Sequence, residues 1–125
     1  MAEKTILMVD EHYHNFSRQR TGIEQRFGCR IKSTDGTFEA RCWLEDTPSY
    51  KLGIIDPRGQ LPRAVKALFD DCREQNIPVI LLSGMKEEDL QADLGIVKGE
   101  DYAHYRHRLV NKLSLYALID ELLQT

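Results

Sequence analysis

Apolar residues follow two different rhythms along this chain. Thr5–Asp10, Leu52–Asp56 and Pro78–Ser83 are short, nearly continuous apolar runs without a helical stripe, and such runs predict strands covered on both faces. Between them the spacing turns helical. From Leu61 to about Gln75, the residues Leu61, Val65, Leu68, Phe69 and Cys72 recur at i, i+4, i+7, i+8 and i+11, which predicts one helix with a single buried stripe. An earlier helix is predicted from about Asn15 to Phe27, with Phe16, Ile23 and Phe27 on one side. It stops at Gly28, a residue favoured just past a helix end. Cys29–Thr34 reads as a second strand, and Phe38, Cys42 and Trp43 mark a short second helix. Leu115, Leu118, Ile119 and Leu122, following Ser114 as a cap, mark the last helix. Glu87–Leu94 has helical spacing, Gly95–Arg108 fits no single period, and Arg108–Lys112 is the expected fifth strand.

Strand and helix thus alternate five times, which favours right-handed crossovers and a parallel sheet with helices on both faces. The 125 residues suit a single domain spanning 1–125, without repeats or low-complexity tracts. With 17 Lys and Arg against 20 Asp and Glu, a formal charge of −3, the chain lacks the basic excess of a nucleic-acid binder, and direct nucleic-acid binding is not expected. No stretch has the length of a membrane span, and the first residues lack the apolar core of a secretory signal. The expected location is cytoplasmic. Cys29, Cys42 and Cys72 are widely separated and form no Cys-x-x-Cys pair, so they read as reduced packing residues.

Chemistry concentrates at the ends of the predicted strands. Asp10 and Glu11 close the first run and Asp56 closes the third; in neighbouring parallel strands they would gather at one sheet edge, where ligands of open α/β sheets bind. Carboxylates so close repel one another unless a hard cation lies among them. Two or three of them, with a backbone carbonyl and waters, suit Mg²⁺. Ser83 and Lys112 end the fourth and fifth predicted strands, and a hydroxyl and an ammonium beside the acids suit a phosphoryl group. A carboxylate is also a nucleophile toward phosphorus, giving an aspartyl phosphate. Each residue has a plainer role open to it: Asp and Glu cap helices and turns, Ser83-Gly84 can be a simple turn, and a lone lysine is usually solvated.

Val-Asp-Glu (9–11), Ile-Ile-Asp (54–56), Leu-Leu-Ser-Gly (81–84) and Val-Asn-Lys (110–112) stand in the order and at the approximate spacing of the receiver domains of response regulators. The whole chain resembles that family. The resemblance implies a flavodoxin-like, doubly wound five-stranded parallel sheet in the order 2-1-3-4-5. It implies phosphorelay signalling in a two-component system, with Mg²⁺-dependent transfer of a phosphoryl group to one aspartate from a histidine kinase or phosphotransfer protein. Carried over by position, Asp56 becomes the phosphoacceptor. Glu11, Asp56 and the backbone carbonyl of Arg58 become direct Mg²⁺ ligands, and Asp10 holds the ion through water. Ser83 hydrogen-bonds the phosphoryl group, Lys112 pairs with carboxylate and phosphate in turn, and Gly84 leaves the phosphoryl group access. Such a domain is not an enzyme in the sense of turnover; it promotes only its own phosphorylation and dephosphorylation.

The chain departs from the family pattern in several places. Leu113 replaces the proline that usually follows the lysine, and a trans peptide is expected there because a cis bond before Leu costs several kcal/mol more than before Pro. Leu109 stands where an aromatic switch residue is usual. Pro57 directly follows Asp56, removing a backbone donor, and Leu61-Pro62 comes two residues later than the usual Met-Pro. The segment from Ser83 to Lys112 is long and contains Tyr102-Ala-His-Tyr-Arg-His-Arg108. That aromatic-basic stretch reads either as a contact for a partner or RNA, or as a solvated helix or loop; Tyr102 or Tyr105 could also replace the switch ring. Residues 95–115 are the expected region for a downstream partner or effector domain, and a homodimer is compatible with the family. His12 and His14 border the acids and invite a transition-metal reading that ranks well below Mg²⁺. Two further functions compete: a receiver-like interaction module that works without phosphorylation, and a small metal-dependent phosphatase or hydrolase.

Overall fold

The computed structural model describes residues 4–10, 17–46, 50–57, 59–83, 87–95, 104–107 and 112–124. Strands and helices alternate as β1 (Lys4–Val9), α1 (Ser17–Phe27), β2 (Cys29–Thr34), α2 (Thr37–Asp46), β3 (Tyr50–Ile55), α3 (Pro62–Glu74), β4 (Val79–Ser83), α4 (Glu87–Leu94), β5 (His104–His107) and α5 (Lys112–Leu123). The five strands form one parallel sheet in the order β2-β1-β3-β4-β5, as expected for a flavodoxin-like fold.

Side-chain alternation along the inner strands divides the interior in two. Leu7 and Val9 of β1, Ile55 of β3, and Val79 and Leu81 of β4 point to one face. There they meet Ala40 and Leu44 of α2, Val65, Leu68, Phe69 and Cys72 of α3, and Leu94 of α4. Ile6, Met8, Leu52, Ile54, Ile80 and Leu82 point to the other, against Ile23 of α1 and Ile119 and Leu122 of α5. Burial on both faces explains why β1, β3 and β4 read as unbroken apolar runs. β2, at the sheet edge, instead alternates buried Cys29 and Ile31 with exposed Arg30 and Lys32. Lys32 covers the Trp43 ring with Nζ 4.2 Å from its centroid, so the edge strand also helps to seat α2.

Helix ends follow local chemistry. Gly28 takes φ +61° directly after α1, as its position in the sequence predicts. Pro62 opens α3, where its missing N–H costs nothing, and the chain leaves that helix through Asn76 at φ +59°, with the Ile77 amide donating to the Cys72 carbonyl.

Phe38, Cys42 and Trp43 lie in α2, the short second helix that they mark in the sequence, but its buried residues are Thr37, Ala40 and Leu44; Phe38 is 80% exposed, while Cys42 and Trp43 are half-buried. Small residues let α2 approach the sheet and α3 closely, so the larger ones are left on its flanks. Leu61 is 63% exposed at the N-cap of α3 and does not join the buried stripe of Val65, Leu68, Phe69 and Cys72. The described fifth strand is His104–His107; of the predicted Arg108–Lys112, residues 108–111 lie outside the described residues, and Lys112 is the first residue of α5, not the end of a strand. Among the described residues β5 pairs only with β4, and an edge strand tolerates polar and charged residues that an inner strand excludes. Ser114 accordingly lies inside α5 instead of capping it. The aromatic-basic stretch 102–108 is thus strand over its described part, with Tyr105 in β5 and Tyr102 outside the described residues.

Candidate functional site

The C-terminal ends of the strands bring the two described acids together. Val9 of β1 is in register with Ile55 of β3, which makes Asp10 and Asp56 the next facing pair. The ladder continues one rung beyond the strands: the Asp56 amide donates to the Val9 carbonyl at 2.8 Å, and the Asp10 amide to the Thr34 carbonyl of β2 at 3.0 Å. Three strand ends are locked in this way, and the two aspartates are held by main chain. Each is only 2% exposed. Burying a carboxylate is costly unless charge or hydrogen bonds compensate it. A facing pair with hard oxygen donors therefore fits a divalent cation, which would offset both charges.

Asp56 is followed by a tight turn in which the Gln60 amide donates to the Pro57 carbonyl at 3.1 Å and Gly59 takes φ +80°, a conformation open chiefly to glycine. Pro57 thus begins a turn, a place where its missing N–H is no loss. Gln60 then reaches across the sheet edge: its Nε2 donates to the Asp35 carbonyl at 2.8 Å. Asp35 follows Thr34, whose hydroxyl accepts from the Gly36 amide at 3.2 Å. The loop carrying Asp56 and the loop joining β2 to α2 are therefore tied. Thr34, buried at 3%, escapes sequence reasoning because a lone threonine at a strand end has no chemical signature.

Ser83 ends β4 and pairs in register with His107. Lys112 begins α5, five residues beyond the last residue of β5, so it stands at the start of the helix that follows β5 and not on a strand. Glu11, Arg58 and Gly84 lie outside the described residues, as do Leu109, His12 and His14. Among the described residues, no group of three or more His, Cys, Asp or Glu side chains is gathered as a metal site. No peptide bond is cis among the described residues, and Leu113 follows Lys112 within α5. The described helices include none long and apolar enough to cross a membrane.

Cys29, Cys42 and Cys72 form no disulfide. Cys72, buried in α3, has its thiol pushed up to about 12 by burial, with Asp71 adding to the shift; it is a packing group without nucleophilic character at neutral pH.

No family sequence model matches the chain, and neither does any curated protein sequence. Solved structures do. A response regulator receiver protein from Pseudomonas putida superposes with a TM-score of 0.72 at 24% identity, covering 97% of this chain and 98% of that one. A two-component response regulator from Clostridium difficile gives 0.71 at 16% identity, covering 98% of this chain and 97% of its own. A chemotaxis protein from Vibrio cholerae gives 0.71 at 14% identity, with 97% and 99% covered. Identities this low speak for architecture alone, and the superpositions span nearly the whole chain: the chain has the receiver-domain fold of response regulators.

Proposed function

We propose that the chain is a phosphorelay receiver that accepts a phosphoryl group on Asp56. The observation that carries this reading is the facing, nearly fully buried pair Asp10–Asp56 at the C-terminal mouth of a receiver-fold sheet. A Mg²⁺ ion held by Glu11, Asp56 and the Arg58 carbonyl, with Asp10 acting through water, would neutralise these acids and the incoming phosphoryl oxygens. An oxygen of the Asp56 carboxylate attacks phosphorus, the bond from phosphorus to the donor breaks, and the donor group leaves with the electron pair. Main-chain anchoring of Asp56 through its amide lowers the cost of holding that oxygen in line. Ser83 and Lys112 supply a hydroxyl and an ammonium for the phosphoryl oxygens. Lys112 opposes the dipole at the start of α5, so helix stability does not account for it. The phosphodonor is a histidine kinase or phosphotransfer protein, and the output is a change of state read by a partner or effector.

Incubation with acetyl phosphate and Mg²⁺ tests the reading. A labile phosphate adduct by intact mass, lost in Asp56→Asn, is expected; absence of the adduct in the wild-type chain refutes it. The second reading, a receiver-fold module that works without phosphorylation, draws on Lys112 lying in α5 and not at a strand end. Its mark is partner binding that survives Asp56→Asn together with indifference to Mg²⁺ and beryllofluoride.

A further inference from the structure

Away from the strand ends, α2 and α3 enclose a groove that the proposed phosphoryl chemistry does not use. Phe38, Arg41 and Glu45 recur at i, i+3 and i+7 on α2, so they share one stripe. That stripe faces α3, because Arg41 Nε donates to Asp71 Oδ2 at 2.7 Å and Gln75 Nε2 donates to the Leu44 carbonyl at 3.3 Å. At the end nearer the strand mouths the groove is apolar. Phe38 is 80% and Leu61 63% exposed, and the Gln60–Asp35 hydrogen bond ties the loops that carry them. At the other end lies a cavity of about 170 Å³ lined by Arg41, Leu44, Glu45, Asp71, Glu74 and Gln75.

The charge of that cavity is one-sided. Three acids face one arginine, and Arg41 is already committed to Asp71, leaving Glu45 and Glu74 as a net charge of −2 (three acids less one base). Gln75 borders the cavity, held by its own hydrogen bond to the Leu44 carbonyl.

We propose that the α2–α3 groove is a docking site for a basic amphipathic segment of a partner protein, with an apolar side chain on Phe38 and Leu61 and an arginine or lysine in the acidic cavity. Charge decides the occupant. In a two-fold contact a second copy of this chain would bring Glu45 and Glu74 against their own counterparts, and a nucleic acid would meet the same repulsion. A basic segment is attracted, and a large exposed aromatic is the type of residue that anchors an interface. The site involves neither Asp10 nor Asp56 and does not depend on phosphorylation.

Titration of the isotopically labelled full chain with a short synthetic amphipathic helix, leucine along one face and arginine on its flank, tests the proposal by amide NMR. Saturable shifts confined to α2 and α3 are expected. Affinity should fall about tenfold or more in Phe38→Ser and in the Glu45→Lys/Glu74→Lys pair, and a peptide with glutamate for arginine should not bind. All three positions are exposed, so the variants keep the fold, as amide spectra will verify. The proposal is overturned by the absence of saturable shifts, by shifts centred elsewhere, by unchanged affinity in the variants, or by self-association of the chain that Phe38→Ser abolishes.

Discussion

Asp56→Asn should make the protein more stable in the absence of divalent metal and nearly blind to Mg²⁺. Paired parallel strands lie about 4.8 Å apart; two carboxylates at that separation would repel by roughly 3 kcal/mol at an effective dielectric near 20, and Asp10 and Asp56 are each 2% exposed. Asparagine keeps the shape but weakens the hydrogen bonds that a carboxylate accepts, at a cost of about 1 kcal/mol. The net expectation is a gain of about 1–2 kcal/mol in chelator, obtained from the two preceding estimates. Mg²⁺ at about ten times its dissociation constant should then stabilise the wild type by roughly 1.4 kcal/mol and the variant far less, closing most of the gap. Urea unfolding at matched ionic strength, with chelator and with Mg²⁺, reads both quantities. A variant less stable than wild type in chelator would show that the two carboxylates do not oppose folding. A gap unmoved by Mg²⁺ would show that they do not share an ion.

Other expectations concern parts of the fold that the strand-end chemistry does not touch. Iodoacetamide at mildly alkaline pH should label the half-buried Cys42 and spare Cys72, whose thiol is held near 12; stoichiometric native labelling of Cys72 would refute its assigned burial. Because that pKa is raised above the ordinary 9.0, the associated stability is complete below pH 9 and falls as pH rises toward about 12, a loss that Cys72→Ala should lack. A Cβ at Gly53 would sit 3.6 Å from Val79 Cγ2 and 3.8 Å from Cys72 Sγ, ordinary contacts, so Gly53→Ala should stabilise by about 0.4–1 kcal/mol. Gly28→Ala, in open space but at φ +61°, should instead cost roughly 1 kcal/mol; equal effects in urea unfolding would contradict this contrast. Gln60→Ala removes an exposed hydrogen bond to Asp35 and should cost at most about 1 kcal/mol, while amide shifts produced by Mg²⁺ no longer spread from the Asp56 loop to residues 35–38.

The inner half of the fold was legible because its physics is local and redundant. β1, β3 and β4 are covered on both faces, so their sequences could hardly be read otherwise, and Val65, Leu68, Phe69 and Cys72 trace the one face of α3 that can be buried. Legibility failed where burial is shared unevenly. The buried residues of α2 are Thr37, Ala40 and Leu44, of which only Leu44 is large and apolar, and the aromatic Phe38 lies 80% exposed on the flank toward α3. At β5, pairing on a single side removes the demand for apolar residues, and a strand of His, Tyr, Arg and His carries no periodic signal.

The same contrast bears on the site. Asp10 and Asp56 follow inner strands whose register is fixed by packing on both faces, and the main-chain bonds to Thr34 and Val9 extend that precision to the aspartates themselves. Lys112, the lysine of Val-Asn-Lys, is expected at the end of an edge strand and lies instead at the start of α5. Under the proposed function, the acidic half of the site would be set by the sheet and the basic half by how α5 packs through Ile119 and Leu122, because Lys112 would serve from a helix start and not from the register that the acids share. A substitution that loosens that packing should weaken phosphoryl retention on Asp56 while leaving the Mg²⁺ response of the aspartate pair intact. Ile119→Ala, fully buried and expected to cost about 2–5 kcal/mol, tests it by comparing the lifetime of the acetyl phosphate adduct with Mg²⁺-dependent stabilisation in the same variant; loss of both together would mean that the two halves are not separable.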